Sequence, residues 1–145
     1  MENQSTDYTQ TIEMLNYFQD EWKYRHHLVL TLFFKLFTFN VVIDILPYVT
    51  SAFGMEFSFG NQKLLFVFPV FGIIIGIFSY HLLNSECIRL STVGKAKYRI
   101  NNLLSQQYHY EKIENTNSIS LSIPKIYLTS QIIIITISLM FLYLK

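Results

Sequence analysis

Two ionisable side chains and an amide stand inside a run apolar enough to enter a bilayer. In "EWKYRHHLVLTLFFKLFTFNVVIDILP", residues 21–47, Lys35, Asn40 and Asp44 are set among Leu, Phe, Val and Ile. An ionisable group in hydrocarbon costs about 2.5–3.5 kcal/mol on insertion scales, so such residues face a partner, a water-filled path or a headgroup. The chemistry this offers is ion passage or ion pairing. On a helix turning about 100° per residue, Thr31, Lys35, Thr38 and Val42 share one side. His26, Phe33, Phe37, Asn40 and Asp44 fall on roughly the opposite one. Lys35 and Asp44 therefore cannot pair within one helix. Thr31, Lys35, Thr38, Asn40 and Asp44 are the candidate path-lining residues: a path formed by the Lys35 face favours anions, one formed by the Asn40/Asp44 face cations. The alternative is that Lys35 snorkels to cytoplasmic headgroups and Asp44 already lies at the outer interface.

A second constellation is "KAKYRINNLLSQQYHY", residues 95–110, with Lys95, Lys97, Arg99 and His109 interleaved with Tyr98, Tyr108 and Tyr110. Cations that pair phosphate and rings that stack on bases are the ingredients of nucleotide or single-strand binding. The same composition also suits a juxtamembrane segment that holds topology and touches anionic lipid. "KYRHH", residues 23–27, lies at the same membrane surface, so Lys23, Arg25, His27, Lys95, Tyr98 and Arg99 form a candidate ligand-binding collar. Third, "GIIIG", Gly72 to Gly76, continued by Ser79, is a small-xxx-small seam that lets helices approach closely, within a subunit or between subunits.

Motifs of catalysis are missing. The chain has no Gly-rich phosphate loop, no G-x-S-x-G and no H-E-x-x-H, and no His or carboxylate set at metal-ligand spacing. His26 and His27, adjacent on a helix, point about 100° apart. The single Cys87 excludes an internal disulfide framework and a Cys-based zinc site. Neither an enzyme, a metal nor a cofactor is expected.

The elements that position these residues follow from how the apolar residues are grouped. The composition is 51% hydrophobic and only 14% charged, and the mean hydropathy of +0.30 sets the chain apart from ordinary soluble domains. Three blocks approach the roughly 20 residues needed to cross a bilayer core: residues 27–47, 64–83 and 123–144. The polar, acidic N-terminus has no basic start and short apolar core, so no cleaved signal is expected. Lys23 and Arg25 precede the first span and Arg89, Lys95, Lys97, Arg99 and Lys112 follow the second, while Lys63 alone stands between them. Positive flanks stay inside, which predicts a multi-pass membrane protein with a cytoplasmic N-terminus and an external C-terminus; the resemblance given below implies that this membrane is the bacterial inner one.

Before the first span, Tyr8, Ile12, Leu15, Phe18 and Trp22 recur at three or four residues, the stripe of an amphipathic helix over residues 5–26. No Pro or Gly separates it from the span, so one helix is expected to run on and stop near Pro47. An external loop, residues 48–63, leads to the second span. This span continues into a cytoplasmic amphipathic helix, residues 84–106, through Leu90, Val93, Ala96 and Ile100, with Gly94 as its weak point. Residues 107–122 read as an Asn/Ser-rich linker to the third span. The predicted fold is an all-α integral membrane protein with three transmembrane helices, the first two extended into a cytoplasmic antiparallel helical hairpin.

The aromatic-basic entry "WKYRHH", the outer end at Pro47 and the continuation "ECIRLSTVGKAKYRINNLL" together resemble the SLATT class of small bacterial membrane effectors over about residues 21–104. The resemblance is one of layout and residue class, and this chain adds a third span to the two-span pattern. It implies a pore-forming or membrane-disrupting effector of antiphage conflict, switched by a nucleotide or oligonucleotide signal from a soluble nucleotidyltransferase partner. The function expected is thus a homo-oligomeric, gated ion pore in the lipid bilayer, controlled from the cytoplasmic helices. The alternative is an adaptor whose helical hairpin recruits a soluble protein through an exposed Tyr8/Ile12/Leu15/Trp22 face.

Overall fold

The computed structural model describes residues 2–52, 66–108 and 122–143 of the chain. Among the described residues the regular structure is three α-helices: α1 (Glu2–Ala52), α2 (Val67–Tyr108) and α3 (Ile123–Tyr143). Each is long and apolar enough to cross a membrane, as a multi-pass membrane protein requires. The linker predicted over 107–122 and the loop predicted over 48–63 lie mostly outside the described residues, as does residue 144.

Helix α1 does not stop at Pro47; it continues to Ala52, so the first five residues assigned to the external loop are helical. Proline removes one i→i−4 bond, but in apolar surroundings hydroxyl side chains of neighbouring helices compensate the backbone. The carbonyl that the proline deprives of its partner is that of Ile43; Ser138 of α3 donates its hydroxyl to the next one, the Asp44 carbonyl, at 2.7 Å and so ties this turn to α3. Helix α2 likewise runs two residues past the predicted 106, to Tyr108.

The chain divides into two compact units, and α1 and α2 each enter both. Unit 1 comprises residues 1–30 and 85–121. Its described part is an antiparallel pair, because Leu15 packs with Ile100 and Leu104 while Arg25 reaches Glu86. Tyr8, Ile12 and Phe18 close over the Leu15 cluster. The predicted amphipathic stripe is thus covered by α2 and does not form an open docking face.

Unit 2 comprises residues 31–84 and 122–145 and is a bundle of three helical segments. Buried positions recur at intervals of three or four residues, as on the inner face of a packed helix. On α2 they are Pro69, Gly72, Gly76, Ser79 and Leu83; on α3, Ile123, Tyr127, Gln131, Ile134 and Ser138. The outward faces carry Ile73, Ile74, Ile77, Phe78, Ile132 and Ile133. An apolar exterior around a partly polar interior suits a lipid solvent.

Candidate functional site: a polar core in the three-helix bundle

The interior of unit 2 contains Asn40, Asp44, Ser79, Gln131 and Ser138, all buried. Asn40 and Asp44 stand one turn apart on α1 and point inward together. Lys35 and Thr38 are exposed, as are Phe34 and Phe39, and Thr31 is half-buried. The predicted path-lining residues therefore divide between an inner and an outer face.

Glycines on α2 make room for the inner groups. At Gly72 a Cβ would collide with the Asp44 carboxylate, so the carboxylate lies directly on the α2 backbone. One turn along, a Cβ on Gly76 would meet Gln131 Oε1 at 3.6 Å, an ordinary contact. Ser79 lies within hydrogen-bonding range of the Tyr127 hydroxyl. The Gly72, Gly76, Ser79 seam packs inside this one chain against α1 and α3. Tyr127 also accepts a hydrogen bond from the Asn40 side-chain amide and meets Phe33 edge-on at 6.2 Å.

Hydrogen bonding is incomplete around this layer. Among the described residues, Asn40 Oδ1, both Asp44 carboxylate oxygens and both amide atoms of Gln131 are buried without a partner. Buried polar groups left unpaired are uncommon in native structures and mark a role or an unseen ligand. The hydroxyls on the rest of α3 behave differently. Thr129, Ser130 and Thr136 donate to their own i−4 carbonyls, at 3.0, 2.6 and 2.7 Å, and so need no external partner. A hollow of about 310 Å³ lined by Thr136, Leu139, Met140 and Tyr143 brings no convergent polar groups.

In unit 1 two of the six predicted collar residues, Lys23 and Arg25, are engaged in ion pairs. Arg25 donates to Glu21 Oε1 at 2.6 Å and reaches Glu86 Oε2 at 3.4 Å, while Arg89 binds the other Glu86 oxygen at 2.7 Å. Lys23 pairs with Asp20 at 3.6 Å on the surface. His27, Lys95 and Arg99 are exposed and Tyr98 is half-buried. The two basic stretches meet through residues outside the predicted collar: Lys97 Nζ sits 5.1 Å from the Trp22 ring centroid, a cation–π contact. Trp22 in turn stacks on His26, with centroids 5.1 Å apart. Gly94 is its seat, since a Cβ there would already stand 3.5 Å from the indole. Cys87 is buried, and burial first and the Glu86 charge second push its thiol up to about 11.

Sequence reasoning singled out Asn40, Asp44 and the glycine seam but missed Tyr127, Gln131 and Ser138 as their partners. The signal was present, because Ile123, Tyr127, Gln131, Ile134 and Ser138 form one α3 stripe at four, four, three and four residues. Trp22 and Glu86 were also missed as the centres of the unit 1 contacts. Among the described residues no three His, Cys, Asp or Glu side chains come together to hold a metal ion. Comparisons with protein families, curated proteins and solved structures return no match to this chain.

Proposed function

We propose that the protein is a non-enzymatic, homo-oligomeric membrane protein that forms a gated ion path, a pore-forming effector controlled from the helices of unit 1. The observation that carries this reading is Lys35. It lies eight residues into the predicted span, about 12 Å from its start, and the chain leaves it exposed beside Thr38. Ionisable residues at that depth almost always face a water-filled cavity or a neighbouring protein surface. With Asn40 and Asp44 inside a single chain's bundle, the face left for a path between subunits is Thr31, Lys35 and Thr38. Its charge favours anions. Control by a nucleotide-type ligand falls to the exposed cations Lys95 and Arg99, which have no ion-pair partner among the described residues.

Purified protein reconstituted into planar bilayers across a potassium chloride gradient tests this. An anion-selective conductance is expected, with its reversal potential moved towards the cation side by Lys35→Gln. No conductance, or a reversal potential indifferent to Lys35→Gln, rejects the path.

One observation favours a second reading, a membrane adaptor. Met14, Tyr17 and Tyr24 lie exposed along one face of α1 in unit 1, and exposed aromatic clusters serve as docking surfaces. Co-purification of a stoichiometric soluble protein in mild detergent, lost in Tyr17→Ser/Tyr24→Ser, would select it.

A further inference from the structure

The polar layer of unit 2 holds acceptors in excess of donors. Asn40 and Asp44 are each 0% exposed and Gln131 is 2% exposed. Between them they present four unpartnered oxygens, two from Asp44 and one each from Asn40 and Gln131, against one unpartnered donor, Gln131 Nε2. These groups cannot satisfy one another, since an oxygen acceptor needs a proton or a cation opposite it. Among the described residues no positive side chain fills that place. Lys35 is on the other face of α1, and among the described residues Tyr48 of α1 and Tyr127 of α3 are titratable groups near enough to feel the Asp44 charge. From α2 the carboxylate meets the backbone at Gly72.

Placement adds to the count. Asn40 and Asp44 are one turn apart on α1, and Gly72 and Gly76, against which Asp44 and Gln131 rest, are one turn apart on α2. The orphaned oxygens thus belong to a layer about 6 Å deep. Tyr127 fixes the Asn40 end by accepting a hydrogen bond from the side-chain amide, and Asn40 Oδ1 is left without a partner. Ser138 fixes the Asp44 end through the main chain and leaves the carboxylate unclaimed.

We propose that this layer is a binding site for a small monovalent cation, a proton or an alkali ion, with the Asp44 carboxylate as its charge and the Asn40 and Gln131 carbonyl oxygens as its further ligands. Contact with the α2 backbone at Gly72 leaves little free volume and favours the smallest of these. The site is a property of a single chain and stands whether or not the protein conducts. If the bundle opens during gating, the cation goes with it.

The test is thermal melting of the full-length protein in detergent, wild type against Asp44→Asn, in sodium or choline chloride at equal ionic strength and from mildly acidic to mildly alkaline buffer. A ligand that binds only the folded state raises the melting temperature as its concentration rises. Wild type is expected to gain several degrees with proton or sodium concentration, and Asp44→Asn to have lost that response. Dependence on pH alone identifies the proton; a gain with sodium over choline identifies an alkali ion. Gln131→Leu, read in parallel, is expected to shift the midpoint of the same titration by at least about tenfold. Equal responses in wild type and Asp44→Asn overturn the site. An unshifted midpoint in Gln131→Leu overturns it also where Asp44→Asn does not fold.

Discussion

Gly72 offers the sharpest check on the packing of unit 2. A methyl group added there has no room, because its position is taken by the Asp44 carboxylate, itself without any exposed surface. Asp44 has two side-chain torsions with which to move aside, and its neighbours Gly72, Ser138 and Tyr48 lie in the same buried layer. Overpacking of this kind costs about 1–3 kcal/mol, and full burial of the displaced group places it towards the upper end. Alanine in place of glycine inside a helix returns about 1 kcal/mol. Gly72→Ala is therefore expected to destabilise the bundle by about 2 kcal/mol. Gly76→Ala, whose methyl would meet Gln131 Oε1 at 3.6 Å and Cγ at 3.8 Å, gains the helix preference without the collision and should be neutral or slightly stabilising.

The decisive form is a double-mutant cycle. With Asp44→Ala the obstacle is gone, so Gly72→Ala should become favourable by about 1 kcal/mol, a coupling of about 3 kcal/mol between the two sites. Unfolding in mixed micelles with a rising fraction of sodium dodecyl sulfate, followed by circular dichroism, reads all four corners. If Gly72→Ala costs as much in the Asp44→Ala background as in the native one, the carboxylate does not lie on Gly72 and the polar layer is wrongly assembled.

Two further predictions concern unit 1. Glu86→Gln keeps the shape of the side chain but removes the charge shared by Arg25 and Arg89, which bind it at 3.4 and 2.7 Å. Hydrogen bonds to charged groups contribute about 1.5–3 kcal/mol, and solvent screening of the exposed Arg89 reduces this. A loss of about 1–2 kcal/mol in the same unfolding assay is expected, and no loss would show the network to be ornamental to stability. Cys87, with its thiol pushed from the ordinary 9.0 to about 11, carries about 100-fold fewer thiolates at neutral pH than an unperturbed cysteine. Maleimide labelling should be slow in native protein and fast after denaturation; equal rates would mean that the thiol is open.

Two kinds of feature were legible in the sequence: the three apolar helices, from the grouping of the apolar residues, and the facing of side chains fixed by helix period. Lys35 and Asp44 are nine residues apart, two and a half turns, and so must lie on opposite faces whatever else the chain does. The packed Tyr8/Ile12/Leu15/Phe18 stripe follows from the same arithmetic. What period cannot supply is a partner. The Gly72 and Gly76 seam is visible in the sequence, but its seating against Asp44 and Gln131 depends on which faces of α1 and α3 turn inward. Gly94 read as a weak point in a helix until Trp22 proved to rest on it. Pro47 misled for a different reason: a proline removes one backbone bond and does not by itself end a helix that is held by packing against its neighbours, and here the adjacent turn is tied to α3 by Ser138.

The division of polar residues between the faces of unit 2 bears on where ion chemistry resides. A hydroxyl on a lipid-facing helix can donate a hydrogen bond to a carbonyl of its own helix, as Thr129, Ser130 and Thr136 do, and needs no donor or acceptor from the surroundings. A carboxylate or a carboxamide has no such retreat, because its oxygens require donors that an intact helix cannot spare. Among the described residues, Asn40, Asp44 and Gln131 are the buried side chains of this kind in the bundle, and α2 presents glycine where two of them approach. Apolar residues of similar size would fill the same space with no desolvation cost. Retaining these groups in a membrane helix bundle therefore makes sense for binding rather than for stability. The prediction that separates the two is Asp44→Leu: loss of the cation response together with an unchanged or higher melting temperature identifies a site kept for its ligand, whereas collapse of the fold with no cation response in wild type identifies a structural carboxylate.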